Sequence, residues 1–410
     1  MPVPNGLPIL QGATDETQTQ FIVLRSSHLP LSYAVRDAAG KTAGSVVIRD
    51  CYVHPAWPDD AVERISVTGL QLGTDYFFEI FESATGSRLD QRLFRTLDTK
   101  KPRGRAAIIS CLCDDFVKEQ AEMWKVVADQ KPDIVFLIGD EAYLDGRQSD
   151  DERGMWRRHL EIRKALDLFR WQTLIPVVSV WDDHDFGIND GDSSFPLKDA
   201  TRKMFDVMFG ADPVAGFTAG PSLAREFQLF GQRYYLMDDR WYRTKGVTHW
   251  GEEQEEWLFS RLNLSQSPAV LMNGSQYFGA YSKYESFEGE HPQQFARVLK
   301  RLSQTEAPVV FASGDRHFSE VMAMEPNLLG YSTFEFTSSS LHSYAPEKLP
   351  SAVNPRRVLA TIAFNFILLE SQSTLSGSSS KIPTLDIDAK CFGAGSQLLF
   401  NHTSKIDRAI

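Results

Sequence analysis

Three apolar runs in this chain each end in a compact polar cluster, and that arrangement narrows the folds open to it. Ile134 to Ile138 leads into Gly139-Asp140-Glu141-Ala142-Tyr143, Pro176 to Val180 into Trp181-Asp182-Asp183-His184-Asp185, and Val309 to Ser313 into Gly314-Asp315-Arg316-His317. Short apolar runs without polar alternation read as strands buried on both faces. Around them lie helical stretches at Phe116 to Gln130, Asp150 to Arg170, Lys198 to Phe209, Glu252 to Leu262 and Gln293 to Leu302. Strands alternating with helices predict an α/β region. In such sheets ligands gather beyond the carboxyl ends of the strands. Three strands delivering Asp, Tyr and His to one edge describe a site for a hard metal ion, and therefore an enzyme.

The first quarter of the chain reads differently. From residue 8 to residue 98 short strand patterns (Phe21 to Leu24, Leu31 to Val35, Ser45 to Ile48) are separated by turns containing Gly, Pro and Asp. Leu70-Gln71-Leu72-Gly73-Thr74-Asp75-Tyr76 resembles the segment of fibronectin type III domains in which Leu and Gly precede a strand-initiating Tyr. That Tyr would form a tyrosine corner, its hydroxyl bonding upstream backbone. A basic linker, Lys100 to Arg105, divides the chain into an expected fibronectin type III- or Ig-like β-sandwich domain over 1–100 and a catalytic domain over 105–410. Within the latter, Ala106 to Ser110, Leu174 to Val180, Ala269 to Met272 and Phe334 to Thr337 are further strand patterns. Ala224 to Met237 alternates like a strand with one exposed face, and Ile362 to Leu369 suggests a second sheet after the helical half. Ser371 to Ser380 is Ser-rich and reads as a flexible loop.

A length of 410 residues suggests two domains. The net charge of −11 argues against a long nucleic-acid partner, which requires clustered Lys and Arg. No apolar stretch approaches the roughly 18 residues of a membrane span. The N-terminus has neither a basic start nor an apolar core, so no signal peptide is visible; the protein stays inside if Met1 is native, or is exported if a leader has been removed. Four cysteines (Cys51, Cys111, Cys113 and Cys391) are too few for a disulfide framework.

The clusters are more informative together than singly. A Gly after a buried strand lets the chain turn sharply and presents Asp140 at the sheet edge. The three carboxylates of Asp182, Asp183 and Asp185 repel one another unless a cation binds or a proton is shared, and the sequence leaves both open. Asp315 and His317, at i and i+2, share one face of an extended segment. The acidic segment Asn189 to Asp192 offers either an added ligand or a polar loop, the loop being favoured, and His249 and His342 could line the pocket but read rather as structural or surface residues.

As a set, these motifs resemble those of the calcineurin-like metallophosphoesterase superfamily, and within it the PhoD-like alkaline phosphatase and phosphodiesterase family. GDEAY, WDDHD and GDRH stand where that family places its strand-end motifs. Ser110-Cys111, Met237 to Arg243, Gly251 to Gln254 with Trp257-Leu258, and Phe336 to Ser340 followed by Asn354-Pro355 also fit. The likeness covers nearly the whole chain. It implies a four-layer metallophosphoesterase β-sandwich flanked by helices, preceded by a small fibronectin-like domain. It also implies a multinuclear metal site with a bridging hydroxide as nucleophile. Asp140 would bridge the metals, with Cys111, Tyr143 and His317 on one of them. Thiolate, phenolate and imidazole suit Fe3+. Asp183 and Asp315 would hold the other, where oxygen ligands suit Ca2+; Mn2+ and Zn2+ are the alternatives. His184 takes the proton-donor position, while Arg316 and Arg240 would bind phosphoryl oxygens. The chain departs from the superfamily pattern near Met272 to Gln276, where a His ligand is missing and Asn273 is the nearest oxygen donor. Cys113 reads as a small buried residue.

The expectation is a hydrolase of small phosphate mono- or diesters. A phospholipid- or nucleotide-directed diesterase on the same scaffold competes with it, as does, more remotely, a non-catalytic binding protein.

Overall fold

The computed structural model describes residues 2–3, 6–145, 150–210, 221–350, 353–375 and 383–408. Seven strands precede the basic linker: β1 (Ile9–Thr14), β2 (Gln18–Ser26), β3 (Leu31–Arg36), β4 (Ser45–His54), β5 (Trp57–Thr68), β6 (Asp75–Glu82) and β7 (Arg88–Arg95). They pair as β1-β2-β5-β4 and β3-β6-β7, the strand order of a constant-type immunoglobulin sandwich. The fibronectin-like expectation is narrowed by β4, which pairs with β5 along nearly its whole length. Aromatic burial joins the two sheets: Phe21 of β2 stacks on Phe78 of β6 at 4.0 Å and meets Phe94 of β7 edge-on at 5.0 Å. At the start of β6 the Tyr76 hydroxyl accepts the Gln71 backbone N–H at 3.0 Å, forming the expected corner.

The rest of the chain is mixed α/β. Its elements are β8 (Arg103–Ile109), α1 (Val117–Asp129), β9 (Ile134–Ile138), α2 (Glu152–Ala165), β10 (Val177–Val180), α3 (Asp183–Phe186), α4 (Lys198–Phe209), β11 (Arg225–Leu229) and β12 (Gln232–Leu236). Then come α5 (Gly251–Leu262), β13 (Ala269–Met272), α6 (Phe287–Glu290), α7 (Pro292–Leu302), β14 (Val309–Ser313), β15 (Ser319–Ala323), β16 (Phe334–Thr337), β17 (Arg357–Thr361), β18 (Asn365–Leu375), β19 (Pro383–Gly393) and β20 (Leu398–Ile406). They form two sheets, β10-β9-β8-β18-β19-β20 and β11-β12-β13-β14-β16-β15-β17. β8, β9 and β10 run parallel in the first, and β12, β13, β14 and β16 in the second.

The two sheets face each other. Phe136 of β9 stacks on Tyr234 of β12 at 5.1 Å, and Phe334 of β16 packs on His402 of β20 at 4.7 Å. Successive strand residues point to opposite faces, so Tyr235 turns outward and meets Trp257 of α5 at 6.1 Å. α5 and α7 are joined by Arg297–Glu255 at 2.7 Å, and α1 lies against β19 of the other sheet. The N-terminal sandwich is seated on this body through Tyr52 against Trp156 of α2 at 4.9 Å. Nearby, the buried Arg92 donates Nη1 to the Trp171 carbonyl at 2.7 Å.

Several boundaries differ from those read in the sequence. The stretch Asp150 to Arg170 is two elements, because Leu166 turns extended (ψ 135°) after α2 and a short 3-10 turn, Asp167–Arg170, follows. Ala224 to Met237 is a hairpin folded at Phe230-Gly231, and β12 is wholly buried rather than one-sided. β18 begins later than expected and pairs with β8, so it extends the first sheet instead of starting another. Ser371 to Leu375 belong to β18, while 376–380 lie outside the described residues. No described helix is long and apolar enough to cross a membrane.

Candidate metal centre

The three clusters follow β9, β10 and β14, and the segments after β8 and β16 join them. The backbone there is unusual. Cys111, Asp140, Asp315 and His317 adopt φ of 61°, 58°, 65° and 56°. A non-glycine residue in the left-handed region costs on the order of 1 kcal/mol or more, and such strain gathers at functional sites. Four strained residues in one place, all of them expected ligands, make local packing alone a poor explanation. Glycine permits the close approach. Gly139 has φ 106°, and a Cβ there would stand 2.4 Å from that of Asp182; a Cβ on Gly314 would stand 2.7 Å from Ser110 Oγ, across the two sheets.

The side chains fall into groups sharing one carboxylate. Cys111, Asp140 and His317 bring ligand atoms within 4.8 Å of one another, and so do Asp140, Asp183 and His184. Cys111 Sγ lies 3.4 Å from Asp140 Oδ2. The Tyr143 hydroxyl lies 3.1 Å from His317 Nε2, 3.5 Å from Asp140 Oδ2 and 2.8 Å from Ser343 Oγ. Asp140 Oδ1 is buried and has no hydrogen-bond partner among the described residues. A buried carboxylate with one oxygen lacking a donor and the other beside a thiol and a phenol is an environment a cation would satisfy. These donors are of the types that could hold a metal ion. Asp315 stands outside these close groups.

The loop that carries Asp140 is held by Asp185, whose carboxylate accepts the backbone N–H groups of Asp140 and Ala142 at 2.6 Å each and of Asp182 at 3.1 Å. On the other side, Asp183 accepts the backbone N–H groups of His184 at 2.9 Å and Asp190 at 2.8 Å. His184 Nδ1 meets Asp145 Oδ1 at 2.6 Å, and its ring packs on Tyr143 at 4.4 Å. Asp145 carries no local signal in the sequence beyond its place, two residues past Tyr143 on the same turn.

Protonation follows from this crowding. Burial, with repulsion from Asp183 and Asp185 behind it, pushes the Asp140 carboxyl well above the usual range, although His184 opposes the shift. Burial likewise raises the Cys111 thiol and Tyr143 phenol, with neighbouring acidic groups adding to both. Asp315 is pushed up to about 7 by burial and then by Glu285, and Asp190 to about 6 by the same two causes. His184 is the opposite case. Burial alone would lower it, but Asp140 and the bond to Asp145 carry it up to about 10. His317 falls to about 4 through burial and the nearby His184.

A second network behind the site corrects one expectation. Arg240 is fully buried, with Nε on Asp182 at 2.6 Å, Nη1 on the Gly191 carbonyl at 3.2 Å and Nη2 on Glu285. Its donors are spent inside the protein, so it acts as a brace for the Asp182 turn rather than as a substrate ligand. Arg243 adds a bond to Glu285 at 2.7 Å. Arg316 is packed rather than fully bonded: Nη2 reaches Ser282 at 3.0 Å, the guanidinium lies over the Tyr284 ring, and the buried Nε and Nη1 have no hydrogen-bond partner among the described residues. Asn273 is not directed at the metal-ligand groups; it bonds Trp250, Asp239 and the Ser275 carbonyl in a buried network. His249 stacks on Phe287 at 4.3 Å, and His342 Nδ1 contacts the Cys113 carbonyl at 3.1 Å, so both are packed within the protein.

Asp190, where the sequence favours a polar loop over an added ligand, and Glu285, which the sequence does not single out, both join the site. Their carboxylates gather with that of Asp183 within 4.8 Å. The loop position of Asp190 is visible in the sequence, but nothing local marks Glu285.

No family model matches this chain, and no curated protein matches it. Among solved structures, IgNAR antibody domain C3 is similar at 15% identity with a TM-score of 0.18, covering 23% of this chain and 98% of that one. IgNAR antibody domain C1 is similar at 19% identity with a TM-score of 0.18, covering 23% of this chain and 95% of that one.

Proposed function

We propose that this chain is a metal-dependent hydrolase of phosphate mono- or diesters, with a metallophosphoesterase body over 105–410 behind an immunoglobulin-like domain over 1–100. The observation that carries the reading is Asp140, one carboxylate shared by two ligand groups, with a buried oxygen that no protein donor satisfies among the described residues. Cys111, Tyr143 and His317 would hold an ion on one side, for which Fe3+ suits the thiolate and phenolate. Asp183 and the acidic groups near it would hold the second, for which Ca2+ suits the oxygens. When bound, the ions supply Lewis-acid charge and lower the pKa of water.

The remaining chemistry belongs to the chain. Asp145 fixes His184 by its Nδ1 at 2.6 Å and leaves Nε2 to protonate a departing alkoxide. Arg316 offers two unpartnered donors to the equatorial oxygens of a phosphoryl group. Asp185 and Arg240 keep the two acidic turns in register, so that the ligands do not drift as charge develops.

Metal analysis of the purified protein, paired with hydrolysis of p-nitrophenyl phosphate and bis-p-nitrophenyl phosphate, tests the reading. Bound iron, a visible tyrosinate colour and turnover of either ester are expected. A colourless, iron-free but active protein removes the Tyr143–iron assignment, and a metal-replete protein inert toward both esters removes the activity.

A further inference from the structure

One aromatic residue at the mouth of the site remains without a role. Tyr344 is 53% exposed, at the point where the chain leaves the buried segment Leu341 to Ser343. It is nevertheless fixed in place. Its ring lies near-parallel to that of His317, 6.4 Å away and tilted by 27°, and Phe116 meets it edge-on at 5.4 Å. Phe116 is itself braced by Phe364 at 5.6 Å. The preceding residue, Ser343, bonds the Tyr143 hydroxyl at 2.8 Å, so the platform is tied to the same ligand group as the chemistry. The other exposed ring on this rim, Tyr284, already covers the Arg316 guanidinium at 4.9 Å.

We infer that Tyr344 is a specificity-determining residue whose ring stacks against a planar, unsaturated ring in the alcohol portion of the substrate. The preferred substrates are therefore phosphate esters of aryl-type alcohols. This rests on the hydrolase reading above. An exposed aromatic held rigid beside a ligand site offers contact area at little entropic cost, and ring–ring contact adds about 0.5–1.5 kcal/mol beyond area burial.

The test is direct binding to the metal-loaded protein, measured by calorimetry with phenylphosphonate and cyclohexylphosphonate. These match closely in size and charge but differ in planarity, and neither is an ester. Phenylphosphonate is expected to bind about 3- to 10-fold more tightly. Tyr344→Leu should bring the two affinities together while inorganic phosphate binds as before, and Tyr344→Phe should restore the difference. Equal affinities in the unaltered protein, or a preference that survives Tyr344→Leu, overturn the inference. The same preparation is assayed with bis-p-nitrophenyl phosphate. Turnover without ring preference refutes only the role of Tyr344, whereas no turnover and no phosphonate binding refutes the hydrolase reading with it.

Discussion

Two buried acidic clusters sit side by side behind the strand ends, and they differ in the cationic partners that the fold supplies. Around Asp182 and Glu285, the guanidinium of Arg240 bonds both carboxylates and Arg243 adds a second contact to Glu285. These two arginines hold Glu285 down to about 2 although burial alone would raise it. Around Asp140 no such arginine is present among the described residues; beside a thiol, a phenol and further carboxyl groups it has the His184 imidazole, which opposes but does not overcome the effect of burial, and its carboxyl is driven up. One set of buried acids thus has fixed guanidinium partners, while the adjacent set has only a titratable imidazole. Leaving a buried charge uncompensated is otherwise costly.

Substitutions can break this contrast, starting with the largest effect. Asp140→Asn should reduce ester turnover to background and lower the bound metal content, while leaving the metal-free protein at least as stable as before in chemical denaturation. Turnover at the unaltered rate would place the chemistry elsewhere. His184→Ala should cost about 10²–10⁴-fold in kcat with metal content retained. Arg240→Met acts on the paired cluster and should behave in the reverse sense, costing about 3–5 kcal/mol of stability because Asp182 and Glu285 lose their counter-charge. Equal stability after that change would show that the pair is dispensable and the contrast superficial.

Titration sharpens the comparison further. Asp315 is raised in the folded protein to about 7, against about 3.9 in an unfolded chain. The folded state therefore binds more protons between those values, and metal-free stability declines as pH rises from about 4 to about 7. Asp315→Asn removes that decline, so its thermal midpoint relative to the unaltered protein should climb across the same window. A difference independent of pH would show that Asp315 is not perturbed. The smallest effect belongs to a control outside both clusters: Tyr76→Phe removes the hydroxyl that accepts the Gln71 N–H and should cost about 1 kcal/mol in the N-terminal sandwich, with turnover unchanged.

The strand-end clusters are legible in the sequence because their logic is local. A buried strand, a glycine and an acidic residue lie consecutively at Ile138-Gly139-Asp140, and helix α4 stops at Gly210, which takes the left-handed conformation expected of a helix-ending glycine. The Tyr76 corner is readable for the same reason, since donor and acceptor are five residues apart. The role expected of Arg240 fails because its partners come from elsewhere: Asp182 lies 58 residues away and Glu285 lies 45. Periodicity also fails where burial is total, as in β12, where Gln232 and Arg233 are buried along with Tyr234, Tyr235 and Leu236.

The sequence by itself determined which residues could carry chemistry, because residue type and strand-end position are properties of short segments. Tertiary structure decided which of them stay unpaired. Arg240 and Arg316 have the same side chain and similar acidic surroundings in the sequence. Packing exhausts the donors of Arg240 on Asp182, Gly191 and Glu285, and leaves two of those on Arg316 without a partner among the described residues. Whether a buried charge meets its counter-charge depends on contacts between distant segments, and only the folded chain makes those contacts.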